Sequence, residues 1–200
     1  MSNENLLMIF VRNARIGQVK TRLASSIGDE KALKIYIHLL NYTAAVSEKC
    51  DAHKAVFYSD IIEEADEFMV PVFRKYLQYG KDLGERMMNA FLKAFAMGYS
   101  RVVIIGSDCV ELNETILNDA FVELEKNDVV LGPAADGGYY LLGMNRFIKE
   151  LFKEKEWSTD NVLLDTLLDL KKQGISYSML PTLNDIDEEK DLGELKSIIE

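Results

Sequence analysis

The chain is poor in the residues that build disulfide frameworks and His/Cys metal centres. Its 200 residues include 2 cysteines and 2 histidines, too few for a disulfide framework and a poor basis for a metal centre of that type. No apolar run reaches the roughly 20 residues that a membrane helix needs. The segment from Met1 to Asn5 is polar and has no cationic stretch before an apolar core. We therefore expect a cytoplasmic protein with no membrane span.

The charge balance excludes a general affinity for nucleic acid. Lysine and arginine total 23 against 33 aspartate and glutamate, a formal net charge of −10. No basic block offsets the repulsion from a polyanion, so any phosphate site must be local. The length suits one domain, and no low-complexity stretch marks a linker. We therefore treat residues 1–200 as a single domain.

Short apolar runs alternate with stretches of helical spacing. The predicted strands are Leu6 to Val11, Ala55 to Tyr58, Arg101 to Ile105, Val129 to Leu131, Tyr139 to Leu142 and Ile175 to Leu180. Helical spacing covers Ala32 to Ala44, Leu83 to Phe95, Ile116 to Leu124 and Val162 to Leu170. A loop is expected from Arg12 to about Gly28, with Ser158 or Thr159 capping the last of these helices and Gly174 ending it. The alternation predicts an α/β fold, a three-layer α/β/α sandwich around a mainly parallel sheet.

A strand that ends in a carboxylate is the most informative single feature. The apolar run from Val102 to Ile105 is followed directly by Gly106, Ser107 and Asp108. Each buried side chain of that run would contribute roughly 1.5–3 kcal/mol, which anchors the strand end. Substrates of open α/β sheets bind where parallel strands end, so Asp108 is well placed to hold a divalent cation. The alternative is that Asp108 only caps the following turn.

The segment after the first strand concentrates positive charge in an acidic protein. Arg12, Lys20 and Arg22 could bind a di- or triphosphate, and Gly17 would let the backbone approach it closely. The glycine pattern and the terminal Gly-Lys-Ser/Thr of a Walker loop are both absent. The phosphate hypothesis therefore rests on charge and location, and a solvated surface loop is the alternative.

Two further segments offer substrate-binding residues. In the first, Asp82, Gly84 and Arg86 begin a helix, where a glycine costs stability unless something approaches the backbone, such as a base or ribose. The alternative makes Asp82 an N-cap and Arg86 an exposed helix residue. In the second, Asp136 precedes Gly137 and Gly138 between two strands. An Asp-Gly turn needs only one glycine, so the second suggests clearance for a ligand.

A second carboxylate for a metal could come from the C-terminal region. Asp187 lies in the segment after the last predicted strand, where it is also a natural helix N-cap. Opposite Asp108 it would complete an oxygen-rich site for Mg²⁺ or Mn²⁺, which take one or two carboxylates plus substrate phosphate and water. Asp185 competes with Asp187 for this role.

Six ordered motifs resemble one bacterial family of the glycosyltransferase-A superfamily. They are Gly17-Gln18-Val19-Lys20-Thr21-Arg22-Leu23, Asp82-Leu83-Gly84-Glu85-Arg86-Met87, Gly106-Ser107-Asp108-Cys109, the stretch from Gly132 to Gly143, Trp157-Ser158-Thr159 and Asp185-Ile186-Asp187. The family comprises transferases associated with radical SAM or selenium-domain genes. It is related to the molybdenum-cofactor nucleotidyltransferases and 2-phospholactate guanylyltransferase. The resemblance runs from Leu6 to Leu192.

The resemblance implies a nucleotide-diphospho-sugar transferase fold and assigns roles to residues. Lys20 and Arg22 would hold nucleotide phosphates, Asp82, Gly84 and Arg86 would border the nucleotide, and Asp108 and Asp187 would ligate the metal. The chain departs from the family pattern where Glu188-Glu189-Lys190 replaces Thr-Pro-Glu, and at Ala14, Ile16 and Val110, where the family commonly has prolines.

The expected activity is metal-dependent transfer from a nucleotide-activated substrate to a small-molecule acceptor. Two versions stay open, glycosyl transfer from a nucleotide sugar and nucleotidyl transfer from a nucleoside triphosphate. In both, Lys20 and the metal would stabilise charge on the leaving phosphate, while Asp136 and the glycines after it position the acceptor. A nucleotide-binding or regulatory module without turnover is the other class of function. The oligomeric state is open, with a homodimer among the candidates.

Overall fold

Seven strands and five α-helices alternate along residues 4–153 and 155–199, which the structure, a computed structural model, describes. The elements are β1 (Asn5–Val11), α1 (Thr21–Ile27), α2 (Asp29–Lys49), β2 (His53–Tyr58), β3 (Phe73–Leu77), α3 (Leu83–Ala96), β4 (Arg101–Ile105), α4 (Glu114–Glu123), β5 (Val129–Pro133), β6 (Tyr139–Met144), α5 (Val162–Gln173) and β7 (Tyr177–Met179). Short 3₁₀ turns occupy Lys149–Phe152, Glu189–Asp191 and Gly193–Ile198. None of the helices within the described ranges has the length and apolar character of a membrane span.

One strand runs against the others in the sheet, whose order is β3-β2-β1-β4-β6-β5-β7. The neighbours from β3 to β4 pair in parallel, and β7 is parallel to β5. β6 is antiparallel to both β4 and β5. Only residues 134–138 connect β5 to β6, and so short a connection can join only antiparallel neighbours. The prediction of a mainly parallel sheet is confirmed, with a single reversed strand.

Helices cover both faces of the sheet because the central strands are apolar on both sides. In β4, Val103 and Ile105 pack on one face with buried residues of α1, α2 and α4. Val102 and Ile104 pack on the opposite face with buried residues of α3 and α5. The predicted three-layer α/β/α sandwich is confirmed, and its buried strands give the site loops a rigid base.

Local predictions failed where the sequence has no apolar period. α1 lies inside the segment predicted as a loop, and its only buried residue is Leu23, so no helical stripe is visible. Neither Ser158 nor Thr159 caps α5: Asn161 is the N-cap residue, and Ser158 has a left-handed φ of 63° in the preceding turn. Glu188, not Asp187, caps the 3₁₀ turn that follows.

Candidate active site at the carboxyl edge of the sheet

Lys20 holds an unusual backbone conformation at the start of α1. Its φ of 47° and ψ of 47° lie in the left-handed region, which costs a residue with a Cβ of order 1 kcal/mol or more. The conformation directs a side chain that is only 7% exposed toward the edge of the sheet. A strained, buried lysine whose side chain points toward the edge of a sheet is typical of a functional position.

The Lys20 ammonium joins two carboxylates that are far apart in sequence. Its Nζ lies 3.1 Å from Asp108 Oδ2 and 3.0 Å from Asp187 Oδ1. Burial lowers the pKa of Lys20, but Asp108 and Asp187 outweigh burial and hold that pKa above its ordinary value. Lys20 is therefore an ammonium at neutral pH, and both acids lie within reach of one cation.

Backbone contacts bring the segment that carries Asp187 to the end of β4. The Leu183 N–H donates to Pro133 O at 3.1 Å, and the Ile186 N–H donates to Asp108 O at 2.9 Å. Through these bonds, the segment after β7 continues alongside the end of β5, and residues 183–187 lie across the edge of the sheet. Asp187 reaches the Asp108 carboxylate because its own backbone is tied to the loop after β4.

Asp185 lies in a different environment from Asp187. Its Oδ1 atom is buried and has no hydrogen-bond partner within the described residues. Burial, together with the nearby Asp108 and Asp136 carboxylates, raises the pKa of Asp185 to about 8. Asp185 is therefore mostly a neutral carboxylic acid at pH 7, whereas Asp187 faces the Lys20 ammonium.

The cations predicted to bind phosphate all line one cavity, whereas the glycine predicted to act with them lies apart. Arg22 Nη1 lies 3.8 Å from Asp187 Oδ2, so Arg22 extends the Lys20 cluster. Arg12 and Arg86 line the same cavity as Lys20. Gly17 lies apart, in an exposed turn where its φ of 72° explains the glycine without a ligand.

Asp82 and Arg86 are held by the loop between β3 and α3. The Asp82 carboxylate accepts from the Glu85 N–H at 2.8 Å, so the alternative role of Asp82 as N-cap is what the structure contains. Arg86 donates through Nε to Gly80 O at 3.2 Å and through Nη1 to Gln78 Oε1 at 3.3 Å. These bonds orient the Arg86 guanidinium at the wall of the cavity.

Gly84 and Gly137 make room for other parts of the protein. A Cβ on Gly84 would lie 1.9 Å from Trp157 Nε1, so the indole occupies the space that a side chain would take. A Cβ on Gly137 would lie 2.0 Å from Asp160 O, and the Leu163 N–H donates to Gly137 O at 3.1 Å. Gly138 borders a cavity, but the close approach at these other two glycines is explained by packing of the segment before α5.

Two cavities adjoin at the Lys20 cluster. The first, of about 820 Å³, lies beside β1 to β3, and the second, of about 740 Å³, lies beside β5 to α5. They share the side chains of Arg22, Asp108 and Asp187. The other charged residues of the first cavity are Arg12, Lys20, Lys81, Arg86, Asp60 and Asp82. Those of the second cavity are Asp136, Asp160 and Asp185.

Three residues that support the site carry no recognisable sequence signal. Asn13, only 3% exposed, accepts from the Asp60 N–H at 3.0 Å and donates to Ile61 O at 2.9 Å. Gln78 Nε2 donates to carbonyl groups near the ends of β1 and β2, Val11 O at 3.0 Å and Phe57 O at 2.9 Å. The hydroxyl of Tyr36 donates to Arg12 O at 3.1 Å. Isolated polar residues of this kind can be recognised only from tertiary contacts.

Comparison with known proteins identifies a matching family and a solved structure with a similar fold. Residues 42–159 match a family described as uncharacterized protein conserved in bacteria, DUF2064. A solved structure from Desulfovibrio desulfuricans G20, described as a candidate nucleotide-diphospho-sugar transferase, is 32% identical with a TM-score of 0.89. The similarity covers 96% of this chain and 86% of that chain. No curated protein matches the chain.

Two more distant structures share the fold alone. The inositol-1-phosphate CTP transferase from T. maritima has a TM-score of 0.63 at 14% identity, covering 97% of this chain and 94% of that chain. The 4-diphosphocytidyl-2C-methyl-D-erythritol synthase from Anaerococcus prevotii DSM 20548 has a TM-score of 0.61 at 11% identity, covering 98% and 95%. The predicted nucleotide-diphospho-sugar transferase fold is confirmed.

Proposed function

The chain belongs to DUF2064, a family of proteins conserved in bacteria, and we propose that it is a metal-dependent transferase that acts on a nucleotide-activated substrate. The observation that supports the proposal most is the position of Lys20, which touches Asp108 and Asp187 where the two cavities meet. An activated phosphate in the first cavity and an acceptor in the second would meet at this cluster.

Of the two versions of the activity, we favour nucleotidyl transfer. The first cavity contains Arg12, Lys20, Arg22, Lys81 and Arg86, enough positive charge for the three phosphates of a nucleoside triphosphate. The loop after β4 contains the single aspartate Asp108 rather than an Asp-x-Asp pair. The two distant relatives are a CTP transferase and a diphosphocytidyl synthase by name. Glycosyl transfer from a nucleotide sugar is the other version.

The donor set fits a divalent cation bound together with substrate. Within the described ranges, no three His, Cys, Asp or Glu residues are grouped to hold a metal by themselves. Mg²⁺ and Mn²⁺ commonly use only one or two carboxylates and complete their shell with phosphate and water, which Asp108 and Asp187 would allow. Such an ion would neutralise charge that develops on the phosphates.

The protein's own side chains would bind the phosphates, align the acceptor and stabilise the charge on the leaving group. Two of the three Lys20 donors are engaged by Asp108 and Asp187, and the third can reach a phosphate oxygen. In nucleotidyl transfer the acceptor hydroxyl oxygen would bond to the α-phosphorus while the bond to the bridging oxygen breaks. Pyrophosphate would leave, and the hydroxyl proton would pass to water. Asp136, with Gly138 at the mouth of the second cavity, would orient the acceptor.

Incubation with labelled nucleotides tests the proposal. The protein would be supplied with each nucleoside triphosphate and with nucleotide sugars, alongside an acceptor library, in Mg²⁺, in Mn²⁺ and in a chelator. We expect metal-dependent release of pyrophosphate from one triphosphate. Release of a nucleoside diphosphate from a nucleotide sugar would favour glycosyl transfer. Tight nucleotide binding with no turnover under any condition would favour a non-catalytic nucleotide-binding module.

A further inference from the structure

The second cavity has the charge opposite to that needed for a phosphorylated molecule. Among the residues that the structure describes, its only cation is Arg22, which lies at the boundary with the first cavity, 3.8 Å from Asp187 Oδ2. Away from that boundary its acidic residues are Asp136, Asp160 and Asp185. Asp136 and Asp160 have no ion-pair partner in the part of the chain that the structure describes. A phosphate or carboxylate there would meet like charge without a paired cation.

Much of the remaining lining of the second cavity is apolar or aromatic, beside the hydroxyl residues Ser158 and Thr159. Trp157 stacks on Phe152, with ring centroids 6.2 Å apart, and its indole edge lies over Gly84. The half-buried Trp157 lines the cavity together with Leu83, Met87 and Tyr139. An aromatic wall beside carboxylates can receive an apolar surface or an ammonium group, because an aromatic face attracts cations and carboxylates pair with them.

The positions of Asp136 and Asp160 are set by backbone contacts. Asp136 Oδ1 accepts from the Gly138 N–H at 2.9 Å, which closes the turn between β5 and β6. The backbone of Asp160 packs on Gly137, where a side chain would collide with it. The loop before α5 and the β5–β6 turn are therefore locked together, and the two carboxylates belong to one rim of the cavity.

We propose that the second cavity binds an acceptor alcohol with no phosphate or carboxylate group, either uncharged or bearing an amine, with its apolar part against Trp157. This inference rests on the proposed function, because it assigns the acceptor class of the same transferase site. Charge then separates the two substrates: the nucleotide phosphates bind only on the Lys20 side, and the acceptor side rejects a second anion.

The first experiment compares matched acceptors. Each alcohol is supplied in three forms: the unmodified alcohol, its phosphate monoester and its amino-deoxy derivative. Every reaction also contains the nucleoside triphosphate that the protein consumes. We expect transfer to uncharged or amine-bearing alcohols. Transfer to phosphate monoesters in preference to the matched alcohols would overturn the inference while leaving the transferase proposal intact. A chain that neither binds nor consumes any nucleotide would overturn both.

A binding measurement decides the question even where no alcohol in the library is turned over. With saturating nucleotide in the first cavity, calorimetry measures the affinity for myo-inositol 1-phosphate in the wild type and in the Asp136→Asn/Asp160→Asn double variant. We expect the double variant to bind this phosphate at least about tenfold more tightly, since two repulsive charges are removed. Asp119→Asn, which makes the same change on the exposed surface of α4, serves as the control and should match the wild type. Equal affinity in the double variant and the wild type would overturn the inference.

Discussion

The two cavities at the edge of the sheet are similar in volume and opposite in charge. Away from their shared boundary, the first contains Arg12, Lys20, Lys81 and Arg86 against Asp60 and Asp82. Among the described residues, the second contains the acids Asp136, Asp160 and Asp185 and no cation. A protein with a net charge of −10 thus has four cationic residues against two acids in one half of a single cleft. Local concentration of charge, and not the net charge, indicates where an anion can bind.

The boundary between the cavities coincides with a change in the sheet. β3, β2, β1 and β4 pair in parallel, and their loops form the first cavity. Beyond β4 the reversed strand β6 brings the turn between β5 and β6 to the same edge, and this turn contributes Asp136 to the second cavity. Asp108 follows β4, so it stands at the point where the pairing direction changes.

The largest expected effect comes from removing charge at that boundary. For Asp108→Asn we expect a loss of about 3–4 kcal/mol of transition-state stabilisation, roughly 10²–10³ in kcat, because one preorganised electrostatic group is lost. The free energy of unfolding should change little, since the carboxylate is 37% exposed. Steady-state kinetics and urea denaturation measure the two quantities. Metal-dependent turnover that is unchanged in Asp108→Asn would contradict the assignment.

The next effect separates the charge of Lys20 from its backbone strain. Both Lys20→Ala and Lys20→Gly should weaken nucleotide binding by roughly 10–100-fold, the scale of hydrogen bonds to charged groups. Lys20→Gly should be more stable than Lys20→Ala by about 1 kcal/mol, because only glycine accepts a φ of 47° without a steric penalty. Titration calorimetry and urea denaturation provide the measurements. An alanine variant as stable as the glycine variant would show that the strain is not real.

A third change should disturb the second cavity and leave the first intact. Gly84→Ala would place a Cβ 1.9 Å from Trp157 Nε1, and overpacking of this kind costs about 1–3 kcal/mol. We expect lower stability in thermal unfolding and weaker acceptor use, with nucleotide affinity unchanged.

A second background serves as the control for Gly84. In a Trp157→Ala protein, the same Gly84→Ala change should cause no loss of stability, because the colliding indole is gone. A loss of nucleotide affinity as large as the loss of acceptor use would instead place Gly84 in the first cavity.

The smallest effect is a pH dependence within the second cavity. The pKa of Asp185 is raised to about 8 by burial and by Asp108 and Asp136. The neutral carboxyl therefore stabilises the fold fully below the ordinary aspartate pKa, and this contribution is lost as pH rises toward 8. With a chelator present, the free energy of unfolding of Asp185→Asn should rise relative to that of the wild type by about 1–2 kcal/mol from pH 4 to pH 8. The difference stays this small because water reaches part of the carboxyl group. Parallel stability curves for the two proteins across that range would refute this.

Periodicity was enough to predict most of the fold. The apolar run of β4 and the four-residue spacing of α3 are local patterns whose only compact solution is a buried strand and an amphipathic helix. Prediction failed for α1, where burial of Leu23 alone leaves no stripe, and for the cap of α5, where Ser158 is turned into a left-handed conformation by its loop. Both failures have the same cause, since neighbouring segments, and not local preference, decide these conformations.

The candidate site was predictable as a set of residue types and not as a set of contacts. Asp108, Asp187 and Lys20 stand at strand ends or in loops, where the sequence indicates chemistry. The sequence predicts that a ligand approaches Gly84 and the second glycine of the turn, Gly138. It could not indicate that Trp157 approaches Gly84 and that the Asp160 backbone approaches Gly137. A glycine in the sequence indicates that a side chain would not fit at that position, but it does not indicate which group occupies the space.

The sequence by itself determined the alternation of strands and helices, the acidic character of the chain and the cationic segment after β1, because each is a property of neighbouring residues. Only the tertiary structure decided that Lys20 lies between Asp108 and Asp187, which are 88 and 167 positions away from it. It also decided that the Oδ1 atom of Asp185 is buried while Asp187 is paired, and that one cleft is divided by charge. Contacts over such separations arise from how the sheet edge packs, and no local propensity encodes them.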